Sequence, residues 1–146
     1  LESIVPDSSR SNAQNLRLGV AAYFSFCERH KDAYLALMHG GLGADPGVQS
    51  VLEETRQAIV GQILDQLGLA TPPPPFRMAA RSWLGGVEAA AIEWLERPEL
   101  NIDQLVDMLS AGLFGQMVVA ARLSPAAGAS IDLAVGFELL LGLGRG

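Results

Sequence analysis

Residues 76–97, FRMAARSWLGGVEAAAIEWLER, and residues 101–122, NIDQLVDMLSAGLFGQMVVAAR, decide the fold of this chain. Both stretches repeat apolar residues at the three- and four-residue spacing of an α-helix. Pro98 ends the first helix, because proline has no backbone N–H and clashes with the preceding turn. Asn101 and Gln104 make a capping-box pattern that starts the second. A turn this short between two helices of nearly equal length predicts an antiparallel hairpin.

This predicted hairpin is apolar around almost its whole circumference. The second helix has only one polar side chain, Gln116, between residues 112 and 121. In the first helix, small residues such as Gly85 and Gly86 lie beside a full core stripe. The residues of that stripe are Ala80, Trp83, Leu84, Val87, Ala91, Trp94 and Leu95. A surface helix keeps one polar face, so this hairpin must be covered on more than one side.

A second copy of the chain is the cover that we expect for the exposed side. Two hairpins related by a two-fold axis would form a four-helix dimer interface. The alternative is a central hairpin wrapped by the other helices of its own chain. The residues predicted at the dimer interface are Trp94, Leu95, Leu105, Leu109, Leu113, Phe114 and Met117.

Length, composition and charge indicate one globular domain. The chain has 146 residues, enough to bury a core, and its net charge of −6 with singly scattered basic residues makes it a poor polyanion binder. Its one cysteine, Cys27, excludes an internal disulfide, which fits a reducing cytoplasm. No signal peptide is evident, and the apolar runs are too short or too interrupted for a membrane span. We therefore expect a cytoplasmic protein without membrane contact.

Further helices are predicted on both sides of the hairpin, and strands are not, because no apolar residues alternate along the chain. Asp45 as N-cap and Pro46 in the first turn mark the clearest helix start. The fold class is therefore all-α, with five to six helices. Residues 1–10 lack periodicity and are predicted to be disordered or vector-derived, which leaves one domain at residues 11–146. The additional helices are predicted at residues 12–29, 31–39, 46–67 and 131–143.

Two local features of the middle of the chain are also predicted. Residues 71–75, TPPPP, read as a stiff polyproline-like connector that sets the direction of the hairpin. The inner face of the helix at residues 46–67 is predicted to include Val51, Leu52 and Ile59, which follow helical spacing.

The sequence offers no positive evidence for catalysis, a cofactor or a metal. His30 and His39 are nine residues apart without a carboxylate at ligand spacing, whereas zinc needs three or four convergent ligands. His30 is instead expected to close the first helix at its negative C-terminal end. Cys27 lies among aromatic residues and is expected to be a buried, inert thiol. Motifs for a catalytic serine, a phosphate loop or a zinc protease are missing.

Glu88 and Arg56 are the most informative polar residues. Glu88 lies among glycines, alanines and a valine, where an unpaired carboxylate would be costly. It can form an ion pair with Arg81 two turns earlier, remain solvated at an edge, or orient a ligand in an apolar cavity. Arg56 can meet Glu88, a ligand carboxylate or water.

A small apolar or aromatic molecule is the ligand that such a cavity would fit. Sites of this kind lie between helices and combine apolar walls with a few polar groups. Core packing alone also explains each of the aromatic residues. The candidate ligand-binding residues are Tyr23, Phe26, Tyr34, Met38, Leu52, Arg56, Ile59, Trp83, Val87 and Glu88.

Three stretches together resemble the C-terminal ligand-binding and dimerisation domain of TetR-family transcriptional regulators, over roughly residues 13–143. They are FCERHKDAYLALMHGG (26–41), RSWLGGVEAAAIEWLERPEL (81–100) followed by QLVDML (104–109), and VGFELLLGL (135–143). The second is similar to the helix hairpin through which such regulators dimerise. The third resembles the closing pattern of many members, although Gly136 precedes Phe137 here.

The resemblance implies an effector-binding and dimerisation domain of a repressor. A small ligand would enter between the first, third and fourth helices, shift the separation of two DNA-binding modules and lower operator affinity. Family members begin with a basic three-helix DNA-binding module, and none stands in this sequence, so we expect that it was removed and that DNA is contacted only through it. A stand-alone helical scaffold or adaptor without a ligand is the alternative, and an enzyme is a distant third.

Overall fold

The computed structural model describes residues 9–40, 45–69 and 71–124, which form five α-helices and no strand. The all-α prediction is therefore confirmed. The predicted sixth helix at residues 131–143 lies outside the described residues, as do residues 1–8. The helices are α1 (Asn12–Arg29), α2 (Lys31–Met38), α3 (Pro46–Gln66), α4 (Pro74–Glu96) and α5 (Ile102–Leu123).

Side-chain caps fix where three of these helices begin. Ser11 and Gln14 form a capping box at α1, and Asn101 and Gln104 form the predicted one at α5. At α3, Asp45 accepts a hydrogen bond of 2.7 Å from the backbone N–H of residue 47. Each cap satisfies a backbone N–H that has no partner inside its helix.

Helix α4 begins earlier than predicted. The residue before it is Pro73, and Pro74 and Pro75 form the start of the helix. The connector predicted at residues 71–75 therefore ends at Pro73, and its last two prolines belong to α4. Proline is tolerated in a first turn because its missing N–H would have no helical partner there, and its fixed φ already suits a helix.

Helix α4 is the central element, since it packs against α5, α3, α1 and α2. All residues of its predicted core stripe are buried. Two indole hydrogen bonds fix the antiparallel hairpin with α5. Trp83 donates to the carbonyl of Leu109 at 2.7 Å, and Trp94 donates to the carbonyl of Leu100 at 2.6 Å.

Helix α1 covers one side of this hairpin and contacts both of its helices. Phe24 is fully buried and packs edge-to-face on Trp94, with ring centroids 5.6 Å apart. Arg17 forms an ion pair with Asp107 of α5. An aromatic contact to α4 and an ion pair to α5 therefore hold α1 against the hairpin.

The predicted inner face of α3 is wrong in its first half. Val51 is 62% exposed and Leu52 is half-buried, whereas the buried residues are Val60 and Leu64. Ile59 is half-buried against the core. The reason is that α3 packs mainly against α4, so it buries one narrow stripe toward its C-terminal end.

Helix α5 is long and apolar enough to cross a membrane, and it is the one described helix of which this is true. Six of its residues are buried inside the protein, and it packs against both α1 and α4. The core helix of a globular domain meets the same criteria of length and composition, so this finding is weak evidence for a membrane span.

Asn101→Ala should destabilise the domain by about 1 kcal/mol, because it removes the cap that starts α5. Urea unfolding followed by circular dichroism measures this difference. Asn101→Ser is the matched control, since serine keeps a capping oxygen, and it should stay close to the wild-type protein. Equal stabilities of the Ala and Ser variants would contradict a role for the cap.

Candidate functional site

Two adjacent helices bring both tyrosines and the only cysteine of the chain together. The hydroxyl groups of Tyr23 on α1 and Tyr34 on α2 are 2.5 Å apart, and their rings meet edge to face. The thiol of Cys27, one helical turn after Tyr23, lies close enough to both phenols that they lower its pKa against the effect of burial. We call Tyr23, Cys27 and Tyr34 the phenol–thiol cluster.

The surroundings of this cluster keep all three groups protonated. Burial raises the pKa of Tyr23 far above its ordinary value, and the neighbouring Tyr34 adds to the shift. Burial also raises the pKa of Tyr34, and it raises the pKa of Cys27 to about 11. The thiolate is the reactive form of cysteine, so Cys27 is the buried and unreactive thiol that the sequence predicts.

Arg56 and Glu88 form a bidentate ion pair between α3 and α4. The Nε atom of Arg56 donates to both carboxylate oxygens at 3.0 and 3.1 Å, and Nη2 donates to Oε2 at 2.7 Å. The two side chains are 22% and 13% exposed. The hydrogen bonds that Arg56 donates to Glu88 raise the pKa of Arg56. This geometry gives strong, directional hydrogen bonds.

The alternative in which Arg81 pairs with Glu88 is wrong. Arg81 donates to Glu53 at 2.9 Å, and Glu53 also lies 3.9 Å from Arg56. Four charges of alternating sign therefore join α3 to α4, with the Arg56–Glu88 pair at the more buried end. Spacing along α4 alone favoured Arg81, and the structure shows the other alternative, in which Arg56 of α3 meets Glu88.

The ion pair and the phenol–thiol cluster are neighbours. The charge of Glu88 contributes to the raised pKa of Tyr23 and of Tyr34, and Tyr23 contributes to the raised pKa of Arg56. Helices α1 to α4 thus bring four of the candidate ligand-binding residues together. Their polar groups bond to one another, so they do not need a ligand or water as a partner.

The other candidate ligand-binding residues are spread over the domain. Trp83 is buried, and its indole N–H is directed at α5. Phe26 contacts His30 at a ring-centroid distance of 4.6 Å. Val87 is buried in the core. The remaining three, which are Met38, Leu52 and Ile59, are half-buried.

Most of the predicted dimer-interface residues are buried in the core of their own chain. Leu109 and Phe114 alone keep a partly exposed surface. The other five, buried in the core, are Trp94, Leu95, Leu105, Leu113 and Met117. A side chain that is already buried offers little area to a partner, so among the predicted residues only Leu109 and Phe114 have surface for an interface.

The exposed side of the hairpin carries small and apolar residues together with Ser82 and Gln116, whose side chains form a hydrogen bond of 3.4 Å. Met78, Met108 and Val119 are 72%, 52% and 52% exposed. A side-chain carbon added to any of the four glycines of this side would meet no atom within 4 Å. We call these residues the hairpin outer face: Met78, Gly85, Gly86, Ala89, Met108, Gly112, Gly115 and Val119.

The predicted interface consists of large apolar residues of the hairpin and includes none of the outer-face residues. The stripe of small residues beside the core stripe is visible in the sequence. Glycine inside a helix costs about 1 kcal/mol relative to alanine. Since the four glycines have open space around them among the described residues, packing within that part of the chain does not explain why they are there.

The histidines have structural partners. His30 caps α1 through its backbone N–H, as predicted, and the Nε2 atom of His39 lies 3.0 Å from Oε1 of Glu96. Within the described residues, no group of three or more His, Cys, Asp or Glu side chains is placed to hold a metal ion.

Alkaline titration should show that the phenol–thiol cluster holds its protons. The pKa values of all three groups are higher in the folded than in the unfolded chain, so stability is intact below about pH 8 and falls as pH rises above about 9 to 10. Tyrosinate absorbance should therefore be absent from the native protein near pH 10. Tyr23→Phe should reduce the alkaline loss of stability by up to about 1.4 kcal/mol per pH unit. Ordinary tyrosine titration in the native state would contradict the burial of these phenols.

Comparison with known proteins identifies the family. A family model described as "Tetracyclin repressor-like, C-terminal domain" matches residues 13–116, from α1 to the middle of α5. No curated protein and no solved structure matches the chain. The match confirms the resemblance to TetR-family regulators. The chain therefore belongs to the tetracyclin repressor-like C-terminal domain family.

Proposed function

We propose that this domain binds a small effector and joins two subunits of a transcriptional repressor, so that effector binding lowers operator affinity. Membership of the tetracyclin repressor-like family supports the proposal. The observation that carries it is the hairpin outer face, which is exposed, uncharged and without a covering element among the described residues.

The outer face suits a second copy of the same hairpin. Exposed apolar faces mark interaction sites. Glycines without neighbours let the backbones of two helices approach closely. Large apolar side chains, Met78 and Val119 among them, would flank this central contact. A two-fold axis through the face would make each hairpin the cover of the other.

The effector is proposed to be small and apolar or aromatic. Its first candidate site is the region where Tyr23 and Tyr34 lie beside the Arg56–Glu88 pair. A ligand with a polar group would exchange hydrogen bonds with this pair, which ties α3 to α4. The helices would then move relative to each other, and the ligand would favour one dimer geometry over the other.

DNA would be contacted through a separate basic module and not through this domain, whose net charge is −6. The proposed place of action is the cytoplasm. We propose no enzymatic activity, since regulation in this account needs binding alone.

A dimeric scaffold without a ligand is the second candidate function, and one observation favours it. The hydroxyl groups of Tyr23 and Tyr34 and the charges of Arg56 and Glu88 are satisfied by one another. Ligand screening separates the two functions.

Light scattering at micromolar concentration should give about twice the chain mass of 15.4 kDa. Val119→Glu should convert the dimer to a monomer, because it buries two unpaired carboxylates at the interface. Val51→Glu is the matched control, since Val51 is also well exposed but lies on α3. A wild-type monomer, or equal effects of the two variants, would contradict the proposed interface.

A screen of small aromatic compounds should raise the melting temperature of the domain by several degrees, because a ligand at a hundred times its Kd adds about 2.7 kcal/mol to stability. Glu88→Gln should reduce the shift if the ion pair orients the ligand. Glu53→Gln is the control, because it alters the same charge network at its exposed end. A screen in which no compound stabilises the domain would favour the scaffold.

A further inference from the structure

One polar spot interrupts the small and apolar residues on the exposed side of the hairpin. It consists of Ser82 on α4 and Gln116 on α5, which are both exposed and lie 3.4 Å apart. Residues three or four positions apart are neighbours on a helix surface. At that spacing, on both helices, the polar spot is flanked by residues of the hairpin outer face: Met78, Gly85 and Gly86 on α4, and Gly112 and Val119 on α5.

The amide of Gln116 has hydrogen-bonding capacity that the described part of the chain leaves unused. The hydroxyl of Ser82 has a single hydrogen, which it donates to the carbonyl of Ala79 at 3.1 Å. Its contact of 3.4 Å with Oε1 of Gln116 is therefore a weak one. Within residues 9–40, 45–69 and 71–124, the amide nitrogen of Gln116 donates to no acceptor. Water can satisfy this exposed amide in a single chain, but an interface that covers it removes the water.

Two-fold symmetry restricts where the polar spot can lie in such an interface. The same face of each subunit meets itself, so a residue away from the axis contacts a different residue of the partner. Away from the axis, each polar spot would be covered by the glycines or apolar side chains of the partner. Both amides would then lose water without gaining a hydrogen bond, which costs free energy twice in one dimer.

On the axis the two polar spots meet, and glutamine is suited to that position. An amide carries a donor and an acceptor, so Nε2 of each Gln116 can donate to Oε1 of the other. Two carboxylates or two ammonium groups would repel each other in the same place. The glycines beside Gln116 have open space around them, which allows the two backbones to approach.

We propose that the two-fold axis of the dimer passes beside Gln116, and that its amide forms reciprocal hydrogen bonds with Gln116 of the partner subunit. The proposal rests on the dimer proposed above and adds the register in which the two outer faces meet. Every shifted register leaves two amides unpaired, so this contact selects one register. It also selects a second copy of this chain over an apolar face that has no amide at the matching place.

A pair of oppositely charged variants tests the contact of Gln116 with its own copy. Gln116→Glu and Gln116→Lys should each raise the Kd of the dimer at least about hundredfold at neutral pH, because two like charges would meet at the axis. An equimolar mixture of the two variants should form a heterodimer, because opposite charges then face each other. Light scattering measures the masses, and native mass spectrometry identifies the heterodimer.

Gln62 provides the matched control. It is an exposed glutamine on α3, outside the hairpin, so Gln62→Glu and Gln62→Lys make the same changes of charge away from the outer face. Both control variants should dimerise as the wild-type protein does. Equal losses of dimer in the two pairs of variants would mean that net charge, and not the contact, controls association, and would overturn the proposal.

The outcomes separate this inference from the proposed dimer. A wild-type monomer overturns both. If the wild-type protein and both Gln116 variants are dimers, the dimer stands and the contact at Gln116 fails. If both variants are monomers and their mixture stays monomeric, Gln116 lies in the interface but does not meet its own copy, and this inference fails. Recovery of the dimer in the mixture, with the Gln62 variants unchanged, supports it.

Discussion

The apolar surface of α4 is the constraint on which the rest of the structure depends. Its core stripe needs cover from several directions, and α1, α2, α3 and α5 supply it. Two indole hydrogen bonds set the position of α5: Trp83 donates to the backbone carbonyl of Leu109, and Trp94 donates to that of Leu100. What remains is the hairpin outer face, whose glycines have open space around them among the described residues. Burial within one chain and the proposed association between chains thus both involve this helix.

Two of the ion pairs that join helices around this centre differ in how completely their hydrogen-bonding groups are satisfied. The Arg56–Glu88 pair between α3 and α4 satisfies its own hydrogen-bonding groups, together with the phenols beside it. The Arg17–Asp107 pair between α1 and α5 leaves one buried nitrogen without a hydrogen-bond partner among the described residues. The hydrogen-bonding groups of the first pair are therefore satisfied, whereas those of the second are satisfied only in part. An unsatisfied buried group lowers the stabilisation that such a pair can give.

The sequence was sufficient for the local structure and insufficient for side-chain pairing between helices. Residue spacing over a few positions predicts the α-helices, the cap at Asn101 and the core stripe of α4. The structure confirms all three predictions. The sequence left the partner of Glu88 open between Arg81 and Arg56, because Arg56 lies 32 residues away on another helix. The predicted interface residues include large apolar ones such as Trp94, which is buried in the core of its own chain, and the dimer interface itself stays a prediction. The complete burial of Ser110 gave no signal in the sequence, since it depends on how α1 meets α5.

The central claim is that the hairpin outer face meets the same face of a second chain. Isotope-filtered NMR on a mixture of labelled and unlabelled chains tests it directly, because it detects methyl groups that touch across a subunit boundary. The account predicts contacts between subunits from the methyl groups of Met78, Met108 and Val119, and none from Val51 on α3. Contacts from Val51 alone, or no contacts between chains at all, would contradict it.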